Sequence, residues 1–211
     1  MSKKSIALFA GTVAVLVLFT AVGPAEKTLG VNARVVYLHG AWVWAALAFL
    51  LLAGLAGLAG LVARRPPWHR WSRALGRTGL LFWITYLPIS LWAMQTNWNG
   101  LFLAEPRWRV AVIFAVAGVL AQAGVTLMEN PAWASGLNTA YIAALLLVLQ
   151  NTDKVMHPPS PMLDSEAWRI QLFFAGLCAL VLVLAAQVAR WWHRVEMAVA
   201  LPASPGNEFP G

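Results

Sequence analysis

The sequence predicts an all-α membrane protein, a single bundle of six transmembrane helices. Two observations predict this fold class. First, 60% of the 211 residues are hydrophobic and only 11% are charged, whereas a soluble domain is about half apolar and about a quarter charged. Second, the apolar residues fall into six long runs that are separated by polar or basic segments. A chain that faces lipid explains both observations.

Six runs of roughly 20 residues with few charges are the expected spans. In chain order they cover residues 5–22, 35–62, 79–96, 110–128, 136–150 and 170–188. We expect residues 1–200 to form one domain. Residues 201–211 are rich in Pro and lack apolar periodicity, which predicts a disordered tail. The basic segment 63–77, which contains Arg-Arg-Pro-Pro, is expected to be a rigid loop.

The first run has an alternative interpretation as a cleaved signal peptide. Lys3 and Lys4 precede the apolar stretch, and small residues occupy much of 21–25, which fits the signal-peptide pattern. Removal of this run would leave an odd number of spans. We therefore expect the run to be retained in the protein.

The distribution of Lys and Arg predicts the orientation, because short cytoplasmic loops are enriched in both residues. If the N-terminus is cytoplasmic, nine of the fifteen basic residues lie inside, and the outer segments hold most of the acidic residues. The inner set is Lys3, Lys4, Arg64, Arg65, Arg70, Arg73, Arg77, Arg190 and Arg194. The sequence thus predicts a multi-pass protein of the bacterial cytoplasmic (inner) membrane with both termini in the cytoplasm.

Several function classes lack support in the sequence. The formal charge of +7 follows from topology, so no nucleic-acid partner is expected. The single cysteine, Cys178, excludes a disulfide framework or a zinc cluster. No nucleophile has a nearby base, no glycine loop fits phosphate, and no acidic residue stands in mid-bilayer. Gln122, Asn138 and Gln150 are expected to bridge helices.

Two of the four histidines, His39 and His157, are expected at the outer membrane surface. The second run is longer than the roughly 30 Å hydrocarbon core requires, so its first turn should project and place His39 at the interface. Tyr37, Trp42 and Trp44 provide flat apolar surface beside this imidazole. A planar macrocycle could bind there.

His157 stands before Pro158 and Pro159, and a residue before proline is biased away from the α region. We therefore expect it on a constrained loop. Imidazole is a common ligand of heme iron, so two histidines on one face predict a heme site. The alternative is that each is an ordinary interfacial histidine, and the residues alone leave both interpretations open.

The outer segment between the third and fourth runs, QTNWNGLFLAEPRWR, supplies aromatic and charged side chains. Trp98 offers a stacking surface, Glu105 can accept hydrogen bonds, and Arg107 can pair with carboxylates such as heme propionates. The same residues are typical of an aromatic belt with arginines at a membrane surface.

These segments resemble the cytochrome c assembly family of heme-handling membrane proteins, of the CcmC and CcsA type. Its members carry a histidine at the outer end of one helix, a tryptophan-rich outer loop and a second histidine shortly before a later helix. VVYLHGAW resembles the first histidine segment and NTDKVMHPPSPM the second. The resemblance, clearest over 31–188, implies heme b as cofactor and His39 and His157 as its iron ligands.

The tryptophan loop departs from the family pattern, a dense WxWDxR run. In this chain Trp98 is displaced upstream, and Glu105, Pro106 and Arg107 stand where the family has aspartate, a variable residue and arginine. The resemblance assigns Trp98, Glu105 and Arg107 to cofactor binding. Because family members present heme to an acceptor on this loop, the departure concerns heme delivery more than heme binding.

Three functional hypotheses remain open. The first is a heme-handling protein that binds heme b at the outer face and passes it to a periplasmic heme chaperone or to cytochrome c, without catalysing bond formation. The second is an electron-transfer subunit that holds a histidine-ligated heme among other membrane subunits of a respiratory or photosynthetic complex. The third is a structural membrane subunit without a cofactor.

Overall fold

The structure, a computed structural model, describes residues 2–128, 130–153, 155, 162 and 166–200. The predicted tail at 201–211 lies outside this part of the chain. Six α-helices form the described part. They are α1 (Lys3–Ala21), α2 (Ala33–Ala63), α3 (Pro66–Trp98), α4 (Pro106–Leu127), α5 (Pro131–Gln150) and α6 (Trp168–Ala200).

Proline marks the beginning of three of these helices. Pro66, Pro106 and Pro131 are the first residues of α3, α4 and α5, a position where the N–H that proline lacks would have no partner within the helix. At α5 the Asn130 side chain also accepts a hydrogen bond of 2.9 Å from the Ala132 amide, which caps the helix.

The predicted loop over 63–77 is wrong. Only Arg64 and Arg65 separate α2 from α3, so the two helices form a tight antiparallel hairpin. The proline pair starts the helix instead of preventing it. The early turns of α3 are held by packing as well, since the buried Ser72 hydroxyl donates to the Ala53 carbonyl at 2.9 Å.

Five helices, α1, α2, α4, α5 and α6, are long and apolar enough to cross a membrane. They expose large apolar side chains along their length, such as Leu58 at 50%, Val116 at 55% and Leu120 at 67%. Soluble proteins rarely expose apolar surface of this extent. The prediction of an all-α, multi-pass integral membrane protein is thereby confirmed.

Helix α3 is less apolar than the other five for a structural reason. It packs against α2, α4, α5 and α6, so much of its surface faces protein and not lipid. Ser72, Thr78 and Trp83 on this helix are almost completely buried. Polar residues that face neighbouring helices find hydrogen-bond partners there. A helix with this environment can therefore contain more polar residues than a helix that faces lipid.

Contacts between the helices define two ends of the bundle. Ser5 at the start of α1 lies close to Arg194 near the end of α6, with the hydroxyl and guanidinium 3.5 Å apart, so these two helices run antiparallel. Helices that follow one another in the chain also run antiparallel, whereas the contacting pairs α2–α6 and α3–α5 run parallel. We call this the basic end, because the nine basic residues of the inner set lie here. The opposite end, where α2 and α4 begin and α3 and α5 end, is called the cavity end.

Small residues on α2 bring α5 close. A Cβ atom added to Gly54 would lie 2.5 Å from Ile142 Cγ2, and one added to Gly57 would lie 2.5 Å from the Ser135 carbonyl oxygen. Backbones approach this closely in membrane proteins where side chains are small. The glycines of α2 are therefore packing residues.

Replacing Gly57 by alanine is expected to destabilise the bundle by about 1–3 kcal/mol, because the new methyl group would overlap the α5 backbone. Gly136→Ala is the matched control, since a Cβ at Gly136 meets nothing within 4 Å. Thermal unfolding of both purified variants in detergent measures the difference. Equal unfolding temperatures would contradict the close contact.

Gln122, Asn138 and Gln150 were predicted to bridge helices, and the structure confirms this for the first two. The Gln122 amide donates to Asn138 Oδ1 at 2.9 Å, and Asn138 Nδ2 donates to the Ser72 carbonyl at 2.9 Å. These bonds join α4, α5 and α3. Gln150 instead lines the cavity that is described next.

Candidate functional site

A cavity of about 530 Å³ lies at the cavity end of the bundle. Its lining comes from the first turns of α2 and α4, the last turns of α3 and α5, and Met162. α2 and α5 touch at Gly54 and Ile142, while nearer the cavity end both helices line the open space. The volume is within the range of small-molecule sites, about 300–1,000 Å³.

The early turns of α2 contribute His39 to the cavity wall. Val36, Gly40 and Val43 share this face of the helix and also line the cavity. A Cβ added to Gly40 would lie 2.5 Å from the terminal methyl of Met162 and 3.2 Å from Phe174 Cε2, so the absence of a side chain at Gly40 lets both side chains pack closely against the helix beside His39.

Aromatic side chains on α3 form the cavity wall next to α2. The Tyr86 ring lies 5.6 Å from the His39 ring, centroid to centroid, and 5.0 Å from the Trp83 ring in an edge-on arrangement. The Trp83 indole N–H donates to the Ala111 carbonyl of α4 at 3.1 Å. Because these rings hold one another in place, the wall is rigid as well as apolar.

Three further tryptophans, Trp44, Trp98 and Trp108, line the cavity from α2, the end of α3 and the start of α4. The site is therefore surrounded by flat π surfaces, which favour a planar, largely apolar ligand.

Two charged side chains enter the cavity from the start of α4. Glu105 precedes the helix and Arg107 lies in its first turn. In the part of the chain that the structure describes, Glu105 Oε2 and Arg107 Nε are buried and have no hydrogen-bond partner. Polar atoms in this condition are uncommon in folded proteins, and a ligand with an anionic group would satisfy the guanidinium.

Four residues that the sequence predicted for a site are brought together here. His39, Trp98, Glu105 and Arg107 all line the one cavity, although they come from three helices. Their role in cofactor binding stays a prediction. His157, the other predicted iron ligand, lies outside the described residues.

Trp42, also predicted as a cofactor-binding residue, does not line this cavity. Its indole N–H donates to the Thr85 hydroxyl at 2.9 Å, and its ring stacks on Phe82 with centroids 4.9 Å apart. The helical period explains why Trp42 is excluded from the cavity. The residues of α2 that line the cavity lie on His39's other side around the helix axis, and Trp42 therefore points away from the cavity. Trp42 instead packs α2 against α3.

The sequence interpretation missed the contribution of α3. Trp83, Tyr86 and Ser90 line the cavity at spacings of three and four residues, which place them on one helical face. This spacing was the available signal.

The other two histidines lie far from the cavity, at the basic end. His69 Nδ1 is 2.7 Å from the Ser135 hydroxyl, and the His193 ring stacks on Trp71. Within the described ranges, no group of three or more His, Cys, Asp or Glu side chains is arranged to hold a bare metal ion.

Comparison of the chain with protein-family models, with curated proteins and with solved structures gives no significant match. The resemblance to cytochrome c assembly proteins therefore stays an expectation from the quoted motifs.

Proposed function

We propose that this protein is a heme-handling membrane protein that binds heme b in the cavity and passes it to an acceptor. One observation carries the proposal. Four residues that were selected from sequence motifs as heme-binding candidates, His39, Trp98, Glu105 and Arg107, line a single cavity of about 530 Å³. The alternative, an aromatic belt with arginines at the membrane surface, does not require these residues to line one cavity.

The lining fits the chemistry of heme in three respects. His39 offers an imidazole, a common ligand of heme iron. Tyr86 and the tryptophans offer apolar surface for the macrocycle. Arg107 offers a guanidinium for a propionate. A bound heme would supply a redox-active iron, whose potential depends on the axial ligands.

His157 is the second axial ligand in this proposal. Two methionines, Met94 and Met162, also line the cavity, and a thioether in place of the second imidazole would raise the potential of the iron. The bis-histidine assignment follows the sequence motifs.

The membrane topology of the proposal follows from charge. We infer that α3 is the sixth span, since it runs beside α2 from Arg65 to Trp98. The basic end then faces the cytoplasm, and the cavity faces the periplasm of a bacterium, where a heme chaperone or cytochrome c would be the acceptor.

A second candidate function is an electron-transfer subunit that keeps its heme. It is favoured by the position of Trp98, which is the last residue of α3 and not part of a free loop, and by the shortness of the connection 99–105. A protein of this kind should retain heme b in the presence of an apo-acceptor, whereas a transfer protein should lose it.

Titration of heme b into the heme-free protein in detergent tests the proposal. We expect saturation near one heme per chain, and we expect Arg107→Gln to weaken binding about tenfold or more, since a charge-assisted hydrogen bond contributes about 1.5–3 kcal/mol. Arg109→Gln is the matched control, because Arg109 is exposed and lies outside the cavity lining. Equal effects of the two variants would contradict the role of Arg107.

A further inference from the structure

The basic end contains a packed cluster of cationic and aromatic side chains between the start of α3 and the end of α6. Arg70, Arg73 and Arg77 recur on α3 at spacings of three and four residues, which places them on one helical face. The Arg77 guanidinium lies 5.1 Å from the centre of the Trp192 ring of α6. This distance is typical of a cation–π contact.

One stacked pair of rings joins the two helices, and a second pair lies on α6. The Trp71 and His193 rings stack with centroids 4.0 Å apart and an interplanar angle of 17°. The Trp191 and Trp192 rings are 4.4 Å apart. We call the residues 70, 71, 73, 77, 192, 193 and 196 the α3–α6 cluster.

The α3–α6 cluster has more positive than negative charge. Glu196 is 9% exposed and contacts two arginines, Arg73 at 3.0 Å and Arg77. In the described part of the chain these are its ion pairs, and none involves Arg70. The cluster thus contains three guanidinium groups and one carboxylate, and in the described part of the chain Arg70 has no ion-pair partner.

Two hydrogen-bond donors of the cluster are buried without an acceptor. Among the described residues, Arg70 Nε and Trp192 Nε1 have no hydrogen-bond partner although both atoms are inaccessible to solvent. A buried N–H group without an acceptor is costly. An oxygen-rich anion would accept from such donors and balance the charge of Arg70.

The depth of the cluster in the membrane indicates the source of the anion. Helices α3 and α6 have 33 residues each, about 50 Å at the α-helical rise, which exceeds the roughly 30 Å hydrocarbon core. The apolar stretches of these helices cover 79–96 and 170–188, so most of the excess length lies at the basic end. These ends extend into the headgroup layer, where tryptophan is enriched. Phosphate groups of lipids are the abundant anions there.

We propose that the α3–α6 cluster binds the phosphate group of an anionic phospholipid, with Arg70 and Trp192 as donors. Basic pockets between transmembrane helices bind lipid headgroups by this chemistry. The site is independent of the cavity, which lies at the opposite end of the bundle. A bound lipid would link α3 to α6 in addition to Glu196.

Titration of phosphatidylglycerol into the full-length protein in detergent micelles, followed by thermal unfolding, tests the site. A ligand that binds the folded state raises the unfolding temperature. We expect phosphatidylglycerol to stabilise the protein and phosphatidylcholine to have little effect. We expect Arg70→Gln to weaken the apparent affinity for phosphatidylglycerol about tenfold. Arg65→Gln, an exposed arginine at the same end, should keep the wild-type affinity.

Trp192→Phe is the second variant. It keeps an aromatic ring and removes the indole N–H, and it should also weaken binding, so the proposal can be tested even if Arg70→Gln fails to fold. Titration with inorganic phosphate alone distinguishes a lipid phosphate from free phosphate as the bound group. Saturation by inorganic phosphate at low millimolar concentration would overturn the lipid assignment. Equal stabilisation by both lipids, or equal losses in Arg70→Gln and Arg65→Gln, would overturn the site.

Discussion

If the proposed function holds, replacing His39 by alanine is expected to lower the amount of bound heme b at least about tenfold, because His39 is a proposed axial ligand of the iron. His39 lines the cavity beside Gly40, within 5.6 Å of the Tyr86 ring, centroid to centroid. Pyridine hemochrome assay of the purified variant measures the loss. The double variant of His39 and His157 should bind even less heme.

His193→Ala is the control, since it removes an imidazole from the opposite end of the bundle and should keep heme at the wild-type level. His39→Gly adds a second readout, because free imidazole should restore the absorption spectrum if His39 is a ligand and not only a packing residue. Full heme occupancy in the double variant would show that the site assignment is wrong.

Replacing Glu196 by alanine is expected to lower the free energy of unfolding by about 2 kcal/mol. Loss of one partner of a buried ion pair costs about 3–5 kcal/mol, and the partial exposure of Arg73 at 19% and Arg77 at 21% reduces this value through solvent screening. For a chain of this size the unfolding temperature should fall by about 4–8 °C.

Glu166→Ala is the comparison for this prediction, because Glu166 is exposed and its loss should leave the unfolding temperature nearly unchanged. Differential scanning calorimetry in one detergent measures both. If the two variants unfold at the same temperature, Glu196 does not hold α3 to α6.

The sequence predicted the helices well and their ends less well. Apolar runs identified all six helices, since hydropathy reports the lipid-facing part of a helix. The ends were missed where polar and aromatic residues extend a helix beyond that part. α3 begins at Pro66 and not at 79, and α6 continues to Ala200 and not to 188.

The sequence predicted only those residues of the candidate site whose side-chain type by itself indicates a chemical role. His39 and Arg107 were recognisable as a candidate ligand and a candidate anion partner, whereas Tyr86 lines the cavity through its helical face. Glu196 was missed for another reason. Its partner Arg73 is 123 residues away in the chain, and no local pattern indicates a contact over that separation.

The most direct test of heme binding is the heme content of the wild-type protein, purified in detergent from heme-replete cells. The reduced-minus-oxidised spectrum and the pyridine hemochrome assay should show a b-type heme at about one per chain. A colourless protein, purified under the same heme-replete conditions, would contradict heme binding and leave a structural membrane subunit as the function.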